Sequence, residues 1–337
     1  MRAAVVGGSG YAGSEILRLL ASHPHLEMVL ATSNSAAGRR IGEYVPSLAG
    51  VYRDVTFAPH ASIHESDAEL VFLALPHGVS QDYVPSLVEQ GRIVVDLGAD
   101  YRLKNSAHYA TWYHAEHRSP ELLEHSVYGL VERHRADLPG ARLIAVPGCY
   151  PTASALALGP FLDAGWVESS GIVVNALSGV SGAGRVPNDR LHFPRLSGNA
   201  EAYGLLDHRH TVEIQEEIGA EVLFTPHLVP ASRGMLVTAY ARVKGEYSTP
   251  EALSLLRSVY ENDACVVVTD DAPSFKDPLG SNVCFVSARV DPRTGWLVAM
   301  SSLDNLTKGA AGQAVQAVNV ALGWDETLGL PLMGIAP

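Results

Sequence analysis

Arg2-Ala3-Ala4-Val5-Val6-Gly7-Gly8-Ser9-Gly10-Tyr11-Ala12-Gly13 decides the fold. Residues 2–6 form a short apolar run that reads as a buried strand. Glycines at 7, 10 and 13 follow, and an amphipathic stretch from Glu15 to Ser22 reads as a helix. A glycine loop between strand and helix lets backbone approach a pyrophosphate at the helix N-terminus. The spacing G-x-x-G-x-x-G is a variant of the commoner dinucleotide loop.

The pattern continues outward. Strand-like runs recur at Leu26–Ala31, Glu69–Leu75 and Arg92–Asp96, with a helix-like segment over Val79–Glu89. Alternating strands and helices predict a Rossmann-type, doubly wound parallel sheet, an α/β fold. Ligands of such sheets bind beyond the strand C-termini. Pro76-His77-Gly78, Asp100-Tyr101-Arg102 and Cys149 all follow strand ends, so they can meet at one crevice. The second strand ends in Thr32-Ser33-Asn34-Ser35, without the Asp or Glu that usually takes the ribose 2′-hydroxyl. Hydroxyls at Ser33 and Ser35, then Arg39-Arg40, fit a 2′-phosphate and predict NADP(H) over NAD.

A second decisive stretch is Pro147-Gly148-Cys149-Tyr150-Pro151-Thr152. It separates a strand, Leu143–Val146, from a helix expected over Pro151–Ala164, with Pro151 at its first position. Cys149 then sits near unpaired N–H groups and the positive end of the helix dipole, which favours thiolate. Ser178-Gly179-Val180-Ser181-Gly182-Ala183-Gly184-Arg185 is a small-residue loop able to wrap a ligand. Asp207-His208-Arg209-His210-Thr211 precedes a helix expected from Val212 to Ile218, capped by Thr211. Arg102 reads either as an anion fork or as an ion-pair partner of Asp96 or Asp100. His114 and His117 have H-x-x-H spacing without companion ligands, so no metal is expected.

From 149 to about 304 the strands alternate, and Cys284–Val290 pairs with Trp296–Ser302 through the turn Asp291–Gly295. This predicts an α+β substrate and oligomerisation domain over 149–304 with a mainly antiparallel sheet. Residues 1–148 and 305–337 form the dinucleotide domain, the last helix, Ala314–Leu322, packing back onto it. Cys265 and Cys284 fall in apolar strands and read as packed thiols.

The 337 residues carry a formal charge of -12, which disfavours nucleic acid. Three scattered cysteines suit a reducing cytoplasm. No signal peptide is apparent, and no apolar run approaches about 18 residues, so no membrane association is expected.

A thiolate beside a nicotinamide implies covalent acyl chemistry, with thioester formation followed by hydride transfer. A histidine would serve as base and acid, and helix-start N–H groups as the oxyanion hole. Together with Leu75-Pro76-His77-Gly78, the Asp96–Leu103 run, Thr225-Pro226-His227-Leu228-Val229-Pro230 and Asp304–Gln313, these motifs span nearly the whole chain. In that order they resemble the N-acetyl-γ-glutamyl-phosphate reductases of arginine biosynthesis, within the wider semialdehyde dehydrogenase group. The chain has Thr211-Val212-Glu213-Ile214 where the family usually has Thr-Pro-Glu-Ile. It has Pro230-Ala231-Ser232-Arg233-Gly234 where Pro-Met-Asn-Arg-Gly is frequent.

The resemblance implies NADPH-dependent reduction of an acyl phosphate, N-acetylglutamyl 5-phosphate, to the 5-semialdehyde. It makes Cys149 the nucleophile and His208 the favoured acid–base group, with His210 in support. It implies cofactor contacts at Gly7, Ser9, Gly10, Tyr11, Ala12, Gly13, Ser33, Ser35, Arg39, Pro76, His77, Gly182 and Asn305. Substrate contacts fall to Arg102, Ser178, Arg185 and Arg209, and the assembly to a homotetramer. The nearest alternative is the lysine-pathway relative acting on an aminoadipyl phosphate. An alternative of another class is a non-catalytic NADP sensor, for which Cys149 would be dispensable.

Overall fold

The computed structural model describes residues 1–335. The chain forms two compact units, Met1–Pro147 with Ala310–Leu330, and Gly148–Gly309 with residues 331–335. The expected cut at 305 differs here. Residues 305–309 stay with the second unit, as does the tail, where Asn282 N–H donates to Pro331 O and Ile335 N–H to Leu279 O.

In the first unit the strands are β1 (Arg2–Val6), β2 (Glu27–Thr32), β3 (Leu70–Leu73), β4 (Ile93–Asp96), β5 (Ser126–Tyr128) and β6 (Leu143–Ala145). All pair in parallel, in the order β2-β1-β3-β4-β6-β5. β3 and β4 are buried along their whole length, as continuous apolar strands are when both sheet faces are covered. The chain leaves β1 for β2 on one side and returns to β3 on the other, which makes the end of β1 the topological switch point. The helix Tyr11–Leu20 buries Ile16, Leu17, Leu19 and Leu20 and leaves Arg18 in water. It starts at Tyr11, earlier than expected, because extended Gly10 serves as its N-cap. The helix Gly312–Ala321 packs against it and against Val131–His134, adding Ala314, Val315, Ala317 and Val318 to the core.

In the second unit the strands are β7 (Ile172–Ser178), β8 (Glu201–Ala202), β9 (Val222–Leu228), β10 (Met235–Arg242), β11 (Val266–Val268), β12 (Cys284–Asp291) and β13 (Trp296–Leu303). They form one sheet, ordered β11-β12-β13-β10-β7-β9-β8. The pairings β7–β9 and β11–β12 are parallel and the others antiparallel, so the sheet is mixed but mainly antiparallel. Cys265, in the turn before β11, and Cys284, the first residue of β12, are both fully buried.

The helix Cys149–Asp163 packs on β10, β12 and β13 and is buried almost all round. Pro160 lies inside it and cannot supply the N–H that Leu156 O would normally accept. The Tyr260 hydroxyl fills that vacancy at 2.6 Å. Ser301 donates to Ala153 O at 2.7 Å, fixing the same helix to β13. The helix Thr249–Val259 packs on β12 and begins with a capping box between Ser248 and Glu251.

Candidate active site

The glycine loop leaves β1 with both Gly7 and Gly8 N–H groups donating to Thr32 O. Gly7 has φ +92°, and a Cβ there would lie 2.3 Å from Ala74 O. A Cβ on Gly13 would lie 2.2 Å from Gly7 O, so only glycine lets this helix seat on the turn. Gly10 has no such neighbour, and its surface is free for a ligand's phosphates. The cradle therefore fits a dinucleotide. At the end of β2 the hydroxyls of Ser9 and Ser33 lie 2.7 Å apart, and Ser35 continues the chain at 3.3 Å. Arg39 stacks its guanidinium over Tyr44 at 4.8 Å.

The Asp96–Leu103 run works as an internal brace. Asp96 Oδ1 accepts from Ser80 Oγ at 2.6 Å and from Gly98 N–H at 2.9 Å. Burial, then the neighbouring Asp100 charge, pushes the Asp96 carboxyl up to about 7. Asp100 accepts from Gly78 N–H at 2.7 Å and so holds the Pro76-His77-Gly78 loop, leaving Pro76 and His77 exposed. His117 Nε2 donates to Asp100 O at 2.6 Å, which gives one histidine of the H-x-x-H pair a structural task. Arg102 is buried and donates to Leu97 O, with Asp96 as a charged neighbour. The guanidinium thus lies inside this run of chain rather than at the surface.

Cys149 is the first residue of its helix, two positions earlier than expected, with extended Gly148 as N-cap. Pro151 consequently stands at the third position, where its missing N–H is still harmless. The Cys149 and Tyr150 N–H groups belong to the first turn, where no helical carbonyl is available, and the thiol's residue is half-buried.

The Gly148 N–H donates to Glu213 Oε1 at 2.8 Å. Glu213 is 1% exposed and lies on the helix His210–Ile218, which packs against the Cys149 helix. Its other oxygen lies 4.0 Å from His210 Nε2. One buried carboxylate thus binds the residue before Cys149 and lies near a histidine. Sequence reading missed Glu213; its place three residues after His210, among apolar neighbours, is the signal that was available.

The histidines differ from expectation. His210 is the first residue of its helix, rather than preceding it, with Arg209 as the cap position. His208 is ringed by Tyr150, Tyr203, His210 and Phe224, with centroids 4.9–5.6 Å away. Its Nδ1 accepts from His210 N–H at 3.1 Å. Burial, then the Arg209 charge, pulls its pKa down to about 4.

Ser178 is buried and donates to Gly179 O at 3.1 Å. Asn305 is buried too; its Oδ1 accepts from Gly234 N–H at 2.7 Å and its Nδ2 donates to Ser181 Oγ at 2.9 Å. Asn305 therefore shapes the loop that carries Gly182. Arg185 and Arg209 are exposed. Among the described residues, no cluster of His, Cys, Asp and Glu could hold a metal ion.

A dinucleotide cradle and a helix-capped cysteine with a carboxylate-linked histidine define the class of the aldehyde-forming, cysteine-dependent dehydrogenases. The family described as semialdehyde dehydrogenase, NAD binding domain, matches residues 2–141. Its companion, the semialdehyde dehydrogenase dimerisation domain, matches residues 149–305. The chain is 41% identical over 351 residues to N-acetyl-gamma-glutamyl-phosphate reductase of Heliobacterium modesticaldum, covering 100% of both proteins. It is 42% identical over 341 residues to the protein of that name in Symbiobacterium thermophilum, covering 98% of this chain and 97% of the other. Aspartate semialdehyde dehydrogenase II of Vibrio cholerae, solved with ASA, shares the fold at TM-score 0.70 and 17% identity, over 95% of this chain and 97% of the other. Aspartate semialdehyde dehydrogenase of Candida albicans, solved with NADP, gives 0.68 and 16%, over 95% and 98%. The chain belongs to the semialdehyde dehydrogenase family, in the branch of the N-acetyl-gamma-glutamyl-phosphate reductases.

Proposed function

We propose that the protein reduces N-acetyl-L-glutamyl 5-phosphate to N-acetyl-L-glutamate 5-semialdehyde with release of phosphate, in arginine biosynthesis. The observation that carries the chemistry is Glu213, which binds Gly148 N–H beside the nucleophile and faces His210. Cys149 Sγ attacks the acyl carbon; the C–O bond to phosphate breaks and a thioester forms. A nicotinamide dinucleotide, whose phosphates the Gly7–Gly13 loop would hold, would supply the hydride that reduces that carbon. First-turn N–H groups hold the oxyanion of the thiohemiacetal, whose C–S bond then breaks to free the aldehyde.

Proton work falls to His210. Its Nε2 faces a carboxylate, which stabilises the imidazolium formed when it takes the thiol proton. His208, expected in this role, has a ring that resists protonation and a nitrogen already used by His210 N–H. It is better placed to orient its neighbour. Arg185 and Arg209, being exposed, are the candidates for the substrate's phosphate and carboxylate.

The cofactor is NADPH. The Ser9–Ser33–Ser35 hydroxyls and Arg39 support this choice, since they offer donors and a cation in place of a carboxylate. No helix among the described residues is long and apolar enough to cross a membrane, and the cytoplasm is the proposed compartment. The protein is proposed to be a homo-oligomer. Helices cover one face of the seven-stranded sheet, while Leu177, Leu236, Tyr240, Val298 and Met300 stand half-exposed on its other face. A second copy would cover this face.

The purified enzyme should reduce NADP+ with the semialdehyde only when phosphate is present, and Cys149→Ser should abolish this. Full activity in that variant would refute the thioester route. A higher kcat/KM on an aminoadipyl phosphate would reassign the substrate, and a preference for NADH would reassign the cofactor. His210→Asn should lower kcat more than His208→Asn; the reverse order would return the role to His208. A monomer by light scattering would remove the oligomer.

A further inference from the structure

The nucleophile has a support that lies far from it in sequence. Gly309 belongs to a π-turn, Thr307–Ala311, and a Cβ built on it would lie 2.8 Å from Cys149 Cβ. The turn therefore rests directly on the cysteine. Single π-turns recur at functional sites, because an extra residue re-aims the backbone.

Asp304 sets this turn. It is fully buried, and every direction around its carboxylate is occupied. Oδ1 accepts from Leu306 N–H at 2.9 Å, from Thr307 N–H at 3.3 Å and from Arg233 Nη2 at 2.9 Å. Oδ2 accepts from Gly280 N–H at 2.7 Å and lies 2.7 Å from Arg233 Nε. The Asp304 carbonyl accepts Gly309 N–H at 2.9 Å, closing the turn. One residue thus holds the segment that touches Cys149, its carboxylate at the start and its backbone carbonyl at Gly309.

We propose that Asp304 is a positioning residue for the nucleophile, acting through the π-turn and Gly309 to hold Cys149 at the start of its helix. The carboxylate matches a fork of Arg233 and three N–H donors, an arrangement that an amide of the same shape cannot satisfy, since its NH2 end would face donors. Loss of the charge releases the turn, and the sulfur moves relative to the first-turn N–H groups that favour thiolate. This rests on Cys149 being the nucleophile. That reading is tested separately by Cys149→Ser, whereas the test here reads the thiol itself.

The experiment is alkylation of the full-length enzyme with iodoacetamide across pH, each cysteine followed by peptide mass. Cys265 and Cys284 are 0% exposed, so they report on the integrity of the fold. In Asp304→Asn, both should remain protected, while the Cys149 alkylation midpoint rises and kcat falls roughly tenfold or more, as a displacement near 1 Å implies. A purely structural role predicts the opposite pattern, with Cys265 or Cys284 becoming reactive and the Cys149 midpoint unmoved. That pattern overturns the proposal, as does a folded variant with midpoint and kcat within about twofold of the parent. Should Asp304→Asn fail to fold, Gly309→Ala presses on Cys149 from the same turn without disturbing a buried charge. It should shift the midpoint and lower kcat likewise, and an unchanged thiol overturns the proposal.

Discussion

Glu213→Gln is the substitution that most directly probes the proton chemistry. The two side chains have the same shape, and glutamine Oε1 can still accept Gly148 N–H. What changes is the group facing His210 Nε2, which becomes a neutral NH2 in place of a carboxylate oxygen 4.0 Å away. Opposite charges at that distance attract by about 4 kcal/mol at an effective dielectric of about 20, an upper figure because solvent and neighbours compensate. A loss of about 1–3 kcal/mol corresponds to roughly tenfold to hundredfold in the step that needs imidazolium. The carboxylate favours the protonated ring, so its removal lowers the His210 pKa. The histidine limb of the kcat profile should therefore move to lower pH, with the plateau reduced tenfold or more. The assay is phosphate-dependent NADP+ reduction across pH, with thermal unfolding to show that the variant is folded. A plateau within twofold of the parent and an unmoved limb would refute the Glu213–His210 link.

Asp96 binds a proton in the folded state that the unfolded chain releases, because its carboxyl is raised to about 7. Its stabilising contribution is complete at low pH and is lost as pH rises through that value. The thermal midpoint of Asp96→Asn relative to the parent should therefore climb between about pH 4 and 7; a constant difference would contradict it. His208 behaves in the opposite sense. With its folded pKa lowered to about 4, it contributes stability above the ordinary histidine value that is lost as pH falls through 6.5 toward 4. His208→Asn should lose less stability than the parent over that acid range in urea titrations. Tyr260→Phe leaves Leu156 O without its donor inside a helix that Pro160 has already interrupted. A cost of about 1–3 kcal/mol is expected in urea unfolding, and a shift below about 0.5 kcal/mol would show that the carbonyl finds another partner.

Much of the first unit was legible because its signals are local. Continuous apolar strands mark a sheet covered on both faces, and the glycine at 13 is required by a steric contact with Gly7, only a turn away. The Cys149 motif was read correctly as strand, turn and helix. Its register slipped by two residues because Gly148, rather than a residue next to Pro151, supplies the extended cap. The His210 helix also starts earlier than expected, because Arg209 before it is already in helical conformation. What escaped was tertiary. Glu213 reaches Gly148 across 65 residues, and no spacing rule encodes that bond. Arg102 has the same composition around it whether it points outward or into the Asp96 brace, and only packing decides. The exchange of the tail after Leu330 to the second unit rests on hydrogen bonds to Leu279 and Asn282, which leave no periodic trace.

The dinucleotide unit is assembled from two separated pieces of chain, and this bears on its biogenesis. Ala314, Val315, Ala317 and Val318 complete a core otherwise built from residues before 147. A nascent chain therefore holds an open apolar flank on its N-terminal sheet until the last helix leaves the ribosome. The intervening catalytic unit has no such debt to the C-terminal helix and can close its sheet once β13 has emerged. Truncation just before Gly312 should accordingly cripple nucleotide binding first. A nascent polypeptide stalled at that point would be the form most in need of a chaperone.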